Sequence, residues 1–115
     1  MSFAKLPAPP YYAVIFCSMR PPESYPASDG YGDMAERMAE LAATMPGYLG
    51  RESARSGDGF GITVSYWDSE ASIAGWKSQI DHKAARDHGR AHWYQHYELR
   101  IARVERAYGK PVATA

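Results

Sequence analysis

The spacing of hydrophobic residues changes along the chain, and each spacing predicts one element. Residues 11–19, YYAVIFCSM, are rich in aromatic and β-branched residues and apolar at both alternating sets of positions, which is typical of a central strand buried on both sides. After a loop at residues 21–30, apolar residues recur at helical intervals within residues 31–45. They are Met34, Met38, Leu41 and Met45. The pattern predicts a strand followed by a helix, which Pro46-Gly47 ends.

Two strands joined by a hairpin turn are predicted next, at residues 48–55 and 60–67, with the turn at the SGDG between them. One face of the second strand is hydrophobic and consists of Phe60, Ile62, Val64 and Tyr66. The other face is small and polar until it ends in an aromatic ring, and consists of Gly61, Thr63, Ser65 and Trp67. The short side chains leave space for a ligand on that face of the sheet.

A second helical region and a last strand complete the pattern. Residues 68–78 begin with capping side chains and predict a helix, and a further helical piece runs from Gln79 to about Gly89. Residues 97–108 alternate as a strand until the phase slips before Val104, which predicts a bulge or a sheet edge. The order β-α-β-β-α-β predicts an α+β, ferredoxin-like fold, with a four-stranded antiparallel sheet and both helices on one face.

The same pattern predicts how the chain is divided and how it assembles. Residues 1–10 contain three prolines and form a flexible N-terminal arm, residues 11–108 form the domain, and residues 109–115 form a loose tail. The sheet face without helices still carries apolar side chains, and the formal net charge of the chain is zero. Both features favour a homodimer in which these sheet faces pair.

Composition excludes several classes of partner. A net charge of zero argues against a nucleic-acid-binding face and against electrostatic docking to anionic membranes. Cys17 is the single cysteine, so no intrachain disulfide forms, which fits a reducing compartment. No apolar run approaches the ~20 residues that a membrane span needs. We predict a cytoplasmic protein with neither nucleic acid nor membrane as a partner.

Titratable and aromatic side chains concentrate in residues 81–97, DHKAARDHGRAHWYQHY, which hold all four histidines. His88, His92 and His96 have i, i+4, i+8 spacing, so on one helix they would share a face. Pairs of histidines at i, i+4 are a known metal-ligand geometry, but the usual third ligand, a carboxylate or cysteine, is not obvious in the pattern. We predict no metal site, and the alternative role of the imidazoles is to cap the helix end or face solvent.

Three segments resemble one protein family. They are MPGYLGRES after the first helix, GFGITVSYWDSEASIAGW across the third strand and second helix, and KAARDHGR beyond it. Together they are similar to the antibiotic biosynthesis monooxygenase family, with the resemblance covering residues 11–108. That family implies a dimeric α+β barrel. Its members include oxygenases of aromatic polyketides that use neither metal nor flavin, haem-degrading proteins and quinol monooxygenases.

The resemblance also bears on the cofactor. In the haem-degrading branch the second helix carries an iron-ligating histidine ten residues after its tryptophan, and the matching position here is Arg86, ten residues after Trp76. Arginine stays protonated and cannot ligate iron. That branch also has an asparagine on its first strand, which YYAVIFCSM lacks. We therefore expect no cofactor, with haem as the alternative if His82 or His88 takes the ligand position in a shifted register.

The cofactor-free branch implies roles for particular residues. Arg86 would hold a phenolate or quinone oxygen, and His82 or His88 would accept the phenol proton. The residues expected to bind substrate are Trp76, Trp67, Tyr12, Ser65, Tyr94 and Tyr97. The structural alternatives are core packing for the tryptophans, dimer contacts for several tyrosines, and a salt-bridged surface helix around Arg86.

These observations leave three hypotheses for function. The leading one is a cofactor-independent monooxygenase that acts with molecular oxygen on a small aromatic, phenolic or quinol substrate. The second is a haem-binding or haem-degrading monooxygenase that uses one of the clustered histidines. The third is a dimeric protein that binds a small molecule without catalysis.

Overall fold

The computed structural model describes residues 3–20, 31–87 and 96–110, with the backbone alone for residues 31–36 and 80–87. The elements follow the predicted order. They are β1 (Tyr11–Met19), α1 (Tyr31–Ala43), β2 (Tyr48–Arg55), β3 (Phe60–Trp67), α2 (Glu70–Asp87) and β4 (His96–Val104). The two helical pieces expected after Trp67 form one continuous helix, α2. None of the helices in these residues is long and apolar enough to cross a membrane.

The four strands form one antiparallel sheet in the order β2-β3-β1-β4. This order confirms the ferredoxin-like α+β fold and places β1 at the centre, as its apolar sequence predicts. It also makes β4 an edge strand. Of the bulge or sheet edge expected near Val104, the edge is confirmed, while the β1–β4 register is continuous up to the pair Tyr11–Val104. The irregularity lies instead in β2, between Tyr48 and Gly50.

The turn between β2 and β3 is fixed by hydrogen bonds of Asp58. Its carboxylate accepts a hydrogen bond from the hydroxyl of Ser56 and another, at 3.0 Å, from the N–H of Phe60. These bonds stabilise the ionised form and hold the pKa of Asp58 below its usual range. Gly59 has a φ of 100°, which favours glycine, so the SGDG turn forms as predicted.

The core lies between the helices and one face of the sheet. Its buried residues are Val14, Ala42, Trp67, Ile73 and Trp76, with Tyr12, Met38, Leu41, Met45 and Tyr48 packed around them. Trp67 has no exposed surface, and its ring stacks on that of Trp76 at a centroid distance of 6.1 Å. This contact joins β3 to α2.

The start of α2 is held beside the segment that follows α1 by hydrogen bonds. Ser69 accepts the N–H of Ser72 at 3.1 Å, and the Ser72 hydroxyl donates to Asp68 at 2.7 Å. The N–H of Asp68 donates to the carbonyl of Gly47 at 2.9 Å. Gly47 has a φ of 85°, and a Cβ atom there would lie 2.0 Å from the Ser72 hydroxyl oxygen. Glycine is therefore required where the two helices are brought together.

The opposite face of the sheet, called the open face below, carries the N-terminal arm on its β2 side. The N–H of Ala4 donates to one oxygen of Glu52 at 3.0 Å, and the hydroxyl of Tyr66 donates to the other at 2.7 Å. A Cβ atom at Gly50 would lie 3.1 Å from that of Ala4, so the arm lies close on β2. Elsewhere on this face Phe60 and Ile62 are 42% and 41% exposed.

We expect Trp67→Ala to lower the free energy of unfolding by about 3–5 kcal/mol, because it removes a fully buried ring and leaves a cavity beneath Trp76. Urea unfolding followed by far-UV circular dichroism measures the change. Tyr108→Ala is the control, since Tyr108 is 99% exposed and should change stability by no more than about 0.5 kcal/mol. Equal effects of the two substitutions would contradict the assigned core.

Tyr66 should titrate at unusually high pH. Burial, together with the hydrogen bond to Glu52, raises its pKa from 10.0 to about 12. Because the folded-state pKa exceeds the unfolded value, the stability that Tyr66 contributes is present below pH 10 and is lost as the pH rises through about 12. Absorbance at the tyrosinate band should show a late transition that disappears in Tyr66→Phe. A late transition that persists in this variant would contradict the assignment.

Candidate functional site

Residues that pair on neighbouring strands point to the same face of the sheet. On the helix-covered face these pairs form four rows of side chains that run across the strands. The tryptophan end consists of Tyr48, Trp67, Tyr12 and Arg103, in the sheet order from β2 to β4. The two middle rows consist of Arg51, Ser65, Val14 and Ile101, and of Ser53, Thr63, Phe16 and Leu99. The polar end consists of Arg55, Gly61, Ser18 and Tyr97.

The tryptophan end is closed by aromatic packing. The ring of Tyr48 meets that of Trp67 edge-on at 5.4 Å, and Trp76 covers Trp67 from α2. Burial raises the pKa of the Tyr48 hydroxyl, although the nearby Arg51 lowers it by a smaller amount. The indole N–H of Trp67 donates to the hydroxyl of Ser65 at 2.9 Å. Ser65 is thereby oriented in the neighbouring row, facing the middle of the sheet.

The polar end is organised by Arg55. Its guanidinium donates to the hydroxyl of Ser18 at 2.8 Å and to the carbonyl of Gly59 in the hairpin turn. A Cβ atom at Gly61 would lie 2.6 Å from the central carbon of this guanidinium, so glycine gives the group room to cross β3. Ser18 and Arg20, which lies two residues farther along the chain, are each only 2% exposed. Cationic and hydroxyl groups are therefore fixed together at this end.

The middle rows combine short polar groups with apolar ones. The hydroxyls of Ser53 and Thr63 share a hydrogen bond of 2.7 Å. On the β1 and β4 side the rings of Phe16 and Tyr97 lie 5.4 Å apart. Three side chains of β4 on this face are each 49% exposed: Tyr97, Leu99 and Ile101. The resulting surface, polar on one side and apolar on the other, suits a flat amphipathic ligand.

The direction of α2 places its last turns near the polar end. The helix begins just after Trp67, and the chain then returns to His96, which pairs with Met19 at the opposite end of the sheet. Met19 also pairs with Phe60, the first residue of β3. A helix of 18 residues spans about 27 Å, which matches the ~26 Å of an eight-residue strand. The backbone that carries His82 and Arg86 thus approaches the polar end.

The predicted site residues divide into three groups. Trp67, Trp76, Tyr12, Ser65 and Tyr97 lie in or against the helix-covered face. The two tryptophans occupy the core, which is the structural alternative that the sequence left open for them.

The second group is His82 and Arg86. For these two residues the structure describes the backbone of α2 and not the side chains. The third group, His88 and Tyr94, lies outside the described residues.

His96 does not belong to the three-histidine helix face that the spacing suggests. It is the first residue of β4, and its ring faces Glu98 at 3.2 Å on the open face. His88 and His92 lie outside the described residues. Among the side chains that the structure describes, which exclude those of residues 31–36 and 80–87, no three His, Cys, Asp or Glu residues are grouped in a way that could hold a metal ion.

Ser18 and Arg55 are not among the residues that the sequence singled out. They lie 37 positions apart, and no local motif connects them. The sequence signal that could have revealed them is the alternation of strand residues. Ser18 lies on the same face of β1 as Val14, and Arg55 pairs with Gly61 on the small, polar face of β3.

The family model described as antibiotic biosynthesis monooxygenase matches residues 12–88, which are more than half of the chain. The chain belongs to the antibiotic biosynthesis monooxygenase family. The match runs from Tyr12 in β1 to just past the end of α2, so it includes what β1, β2 and β3 contribute to both ends of the site but not the β4 residues Tyr97 and Arg103.

Two relatives illustrate the range of this family. YqjZ of Bacillus subtilis, an uncharacterized protein, is 52% identical over 103 residues, which cover 90% of this chain and 87% of YqjZ. Jasmonate monooxygenase of Pyricularia oryzae is 27% identical over 95 residues, which cover 81% of this chain and 43% of that protein.

Two solved structures share the fold. A mutant of SnoaB, a cofactor-independent oxygenase from Streptomyces nogalater, superposes with a TM-score of 0.70 at 13% identity, covering 89% of this chain and 100% of SnoaB. A dimeric ferredoxin-like protein of unknown function from Thermobifida fusca has a TM-score of 0.64 at 13% identity, covering 90% of this chain and 100% of that one. At such identities these structures establish the fold alone.

Proposed function

We propose that the protein is a cofactor-independent monooxygenase that acts with molecular oxygen on a small aromatic, phenolic or quinol substrate. The observation that carries this proposal is the arrangement of the helix-covered face. A closed tryptophan end and a fixed polar end flank a middle with hydroxyl groups on one side and half-exposed apolar groups on the other. SnoaB, which has the same fold, is described as a cofactor-independent oxygenase.

In this proposal the substrate ring lies over the middle rows. Trp76 and Trp67 close one end of its binding site, while Tyr12 and Ser65 line the sheet beside them. Tyr97 supplies a hydroxyl at the other end, and we assign the same kind of role to Tyr94. The short side chains of β3 allow a planar molecule to lie close to the sheet.

Arg86 and a histidine supply the acid–base chemistry in this proposal. Arg86, on the part of α2 that returns toward the polar end, pairs with the phenolate oxygen and so lowers the pKa of the substrate hydroxyl. His82 or His88 accepts the proton, because a neutral imidazole titrates near neutral pH. Together, Arg86 and the histidine generate the anion of the substrate and stabilise it.

The anion reduces oxygen directly. For a substrate with a ring methylene, loss of one proton gives a carbanion that transfers an electron to dioxygen, and the two radicals combine to form a peroxide anion. The proton returns to that anion, and the resulting hydroperoxide loses water to leave a ketone. One methylene and one dioxygen thus give one carbonyl and one water, with oxygen as the sole oxidant.

We also propose that the protein is a homodimer paired through its open faces. Ile15, Ile62 and Val64 share this face, and Phe60 and Ile62 remain about two-fifths exposed, at 42% and 41%. Apolar surface of this kind is stabilised when a second copy covers it. The Thermobifida fusca protein with the same fold is described as dimeric.

Oxygen consumption tests the proposed activity. We expect purified, haem-free protein to consume oxygen with an anthrone or a dihydroxynaphthalene, measured with an oxygen electrode. Arg86→Ala should lower kcat/KM about a hundredfold, because the phenolate loses its counter-charge. His82→Ala and His88→Ala identify the base, since the substitution that removes it should lower kcat about a hundredfold or more.

Arg106→Gln is the matched control for this experiment, since Arg106 is an exposed arginine beyond β4 and its loss changes net charge by the same amount as the loss of Arg86. It should leave kcat/KM unchanged. Haem titration tests the alternative function. A saturable Soret shift lost in His88→Ala, with no oxygen uptake in the haem-free protein, would overturn the cofactor-independent proposal.

The dimer is tested by two substitutions on opposite faces. Ile62→Glu places a charge on the open face of each copy and should raise the dimer dissociation constant roughly a hundredfold. Ile101→Glu is the control, because Ile101 has similar exposure, 49%, but lies on the helix-covered face. Light scattering coupled to size exclusion measures both. A wild-type monomer, or dissociation by Ile101→Glu alone, would contradict open-face pairing.

A further inference from the structure

The two edges of the open face differ in what covers them. At the β2 edge the N-terminal arm lies on the sheet, because Ala4 donates its N–H to Glu52 and Leu6 approaches within 3.7 Å of a Cβ atom built at Gly50. At the other edge every residue of β4 before Val104 is exposed. In the part of the chain that the structure describes, the arm therefore covers β2 and leaves β4 exposed.

The outer side of the arm is itself exposed. Half-buried and exposed residues alternate along it, so that Ala4 and Leu6 face β2 while Phe3 and Lys5 point away. Phe3 is 92% exposed although the next residue is fixed on Glu52. An apolar ring on a segment already held in place is stabilised when a second surface covers it. The family match begins at residue 12, so the arm lies outside the matched region.

Two copies that pair through their open faces have two simple arrangements. If the two-fold axis runs along the strands, each row of side chains faces the same row of the partner in reverse order, and β2 lies opposite the partner's β4. If the axis runs across the strands, β2 lies opposite the partner's β2 and the two arms meet. The first arrangement places one arm at each edge of the interface, whereas the second places both arms at one edge.

The residues of the open face fit the first arrangement. Two adjacent rows consist of Gly50, Tyr66, Ala13 and Ala102, and of Glu52, Val64, Ile15 and Arg100. In reverse order Glu52 faces the partner's Arg100, which has the opposite charge, and the large Tyr66 faces the partner's small Ala13. The carboxylate of Glu52 can accept a further hydrogen bond beside those from Ala4 and Tyr66.

Small residues leave room for the arm between the two sheets. Facing sheets lie about 10 Å apart, and side chains from both sheets fill the space. Where the arm lies, β2 contributes Gly50 and the facing strand would contribute the partner's Ala102, and these two residues fill little of that space. The arm supplies the missing volume.

We propose that the N-terminal arm of each protomer binds the open face of β4 in a second copy. The inference rests on the homodimer of the proposed function and adds which surfaces of the two copies meet. Phe3 and Lys5 are the arm residues that contact the partner. Leu99 and Ile101 lie on the other face of β4, so the arm of one copy supports the strand that carries the apolar side of the candidate site in the other.

Disulfide cross-linking tests this arrangement. Lys5→Cys and Ala102→Cys are each made with Cys17→Ser, and the two proteins are oxidised separately and after mixing. Within one copy β2 and β4 are about 14 Å apart, which exceeds the ~7 Å between Cα atoms that a disulfide spans. We expect a cross-linked dimer on non-reducing gels in the mixture alone, because the arm of one copy meets β4 of the other.

The outcomes separate the arm contact from the homodimer itself. A cross-link in either single variant without mixing places arm on arm or β4 on β4, and it overturns the proposed arrangement. A wild-type dimer in light scattering whose mixed variants give no cross-link overturns the arm contact and leaves the homodimer standing. A wild-type monomer overturns both. Oxygen uptake does not enter this test, so the oxygenase proposal is judged separately.

Phe3→Ala tests the same contact by affinity. It should raise the dimer dissociation constant about tenfold, because each copy loses a ring that its partner covers. Tyr108→Ala is the matched control, since Tyr108 is also an exposed aromatic residue, at 99%, but lies beyond β4 and outside the arm. Both substitutions are at exposed positions, so both variants should fold. An unchanged constant in Phe3→Ala, or equal changes in the two variants, would overturn the arm contact.

Discussion

The stacking of Trp67 on Trp76 is the contact on which the rest of the structure depends. It fixes α2 over β3 at one end of the sheet, where the turn through Gly47, Asp68 and Ser72 also holds the start of the helix. Since Trp67 has no exposed surface, this end is packed like a core and excludes ligand from its interior. In the proposed function the ligand therefore binds farther along the same face, toward the residues that α2 approaches with its last turns.

The side chains of the helix-covered face consequently change from a packed aromatic cluster at one end to hydrogen-bonded polar groups at the other, where the proposed ligand binds. At the tryptophan end the side chains are large and apolar, and their function is mainly structural. At the polar end the guanidinium of Arg55 donates to Ser18, and Gly61, which has no side chain, leaves room for that guanidinium. A polar group of this kind is costly to bury unless hydrogen bonds compensate it, and the contacts of Arg55 with Ser18 and Gly59 contribute to that compensation.

Much of this arrangement could be predicted from the sequence, and the remainder could not, for identifiable reasons. Alternation in β3 gave the two faces, and Gly47, Ser72 and the SGDG turn are local signals that fix local geometry. The contact of Arg55 with Ser18 depends on strand order and register, which join residues 37 positions apart. The spacing of His88, His92 and His96 has meaning within a helix alone, and it does not bring His96 to a helix face because His96 begins a strand.

The same two strands serve both faces, which links assembly to the site. In β1 and β3 every other residue belongs to the candidate site, while those between, such as Ile15, Ile62 and Val64, belong to the open face. A second copy packed on that face would immobilise the backbone that carries Ser18, Gly61 and Ser65. Because a ligand that meets an ordered surface pays less entropy on binding, open-face pairing would strengthen binding on the other face without contributing any residue to it.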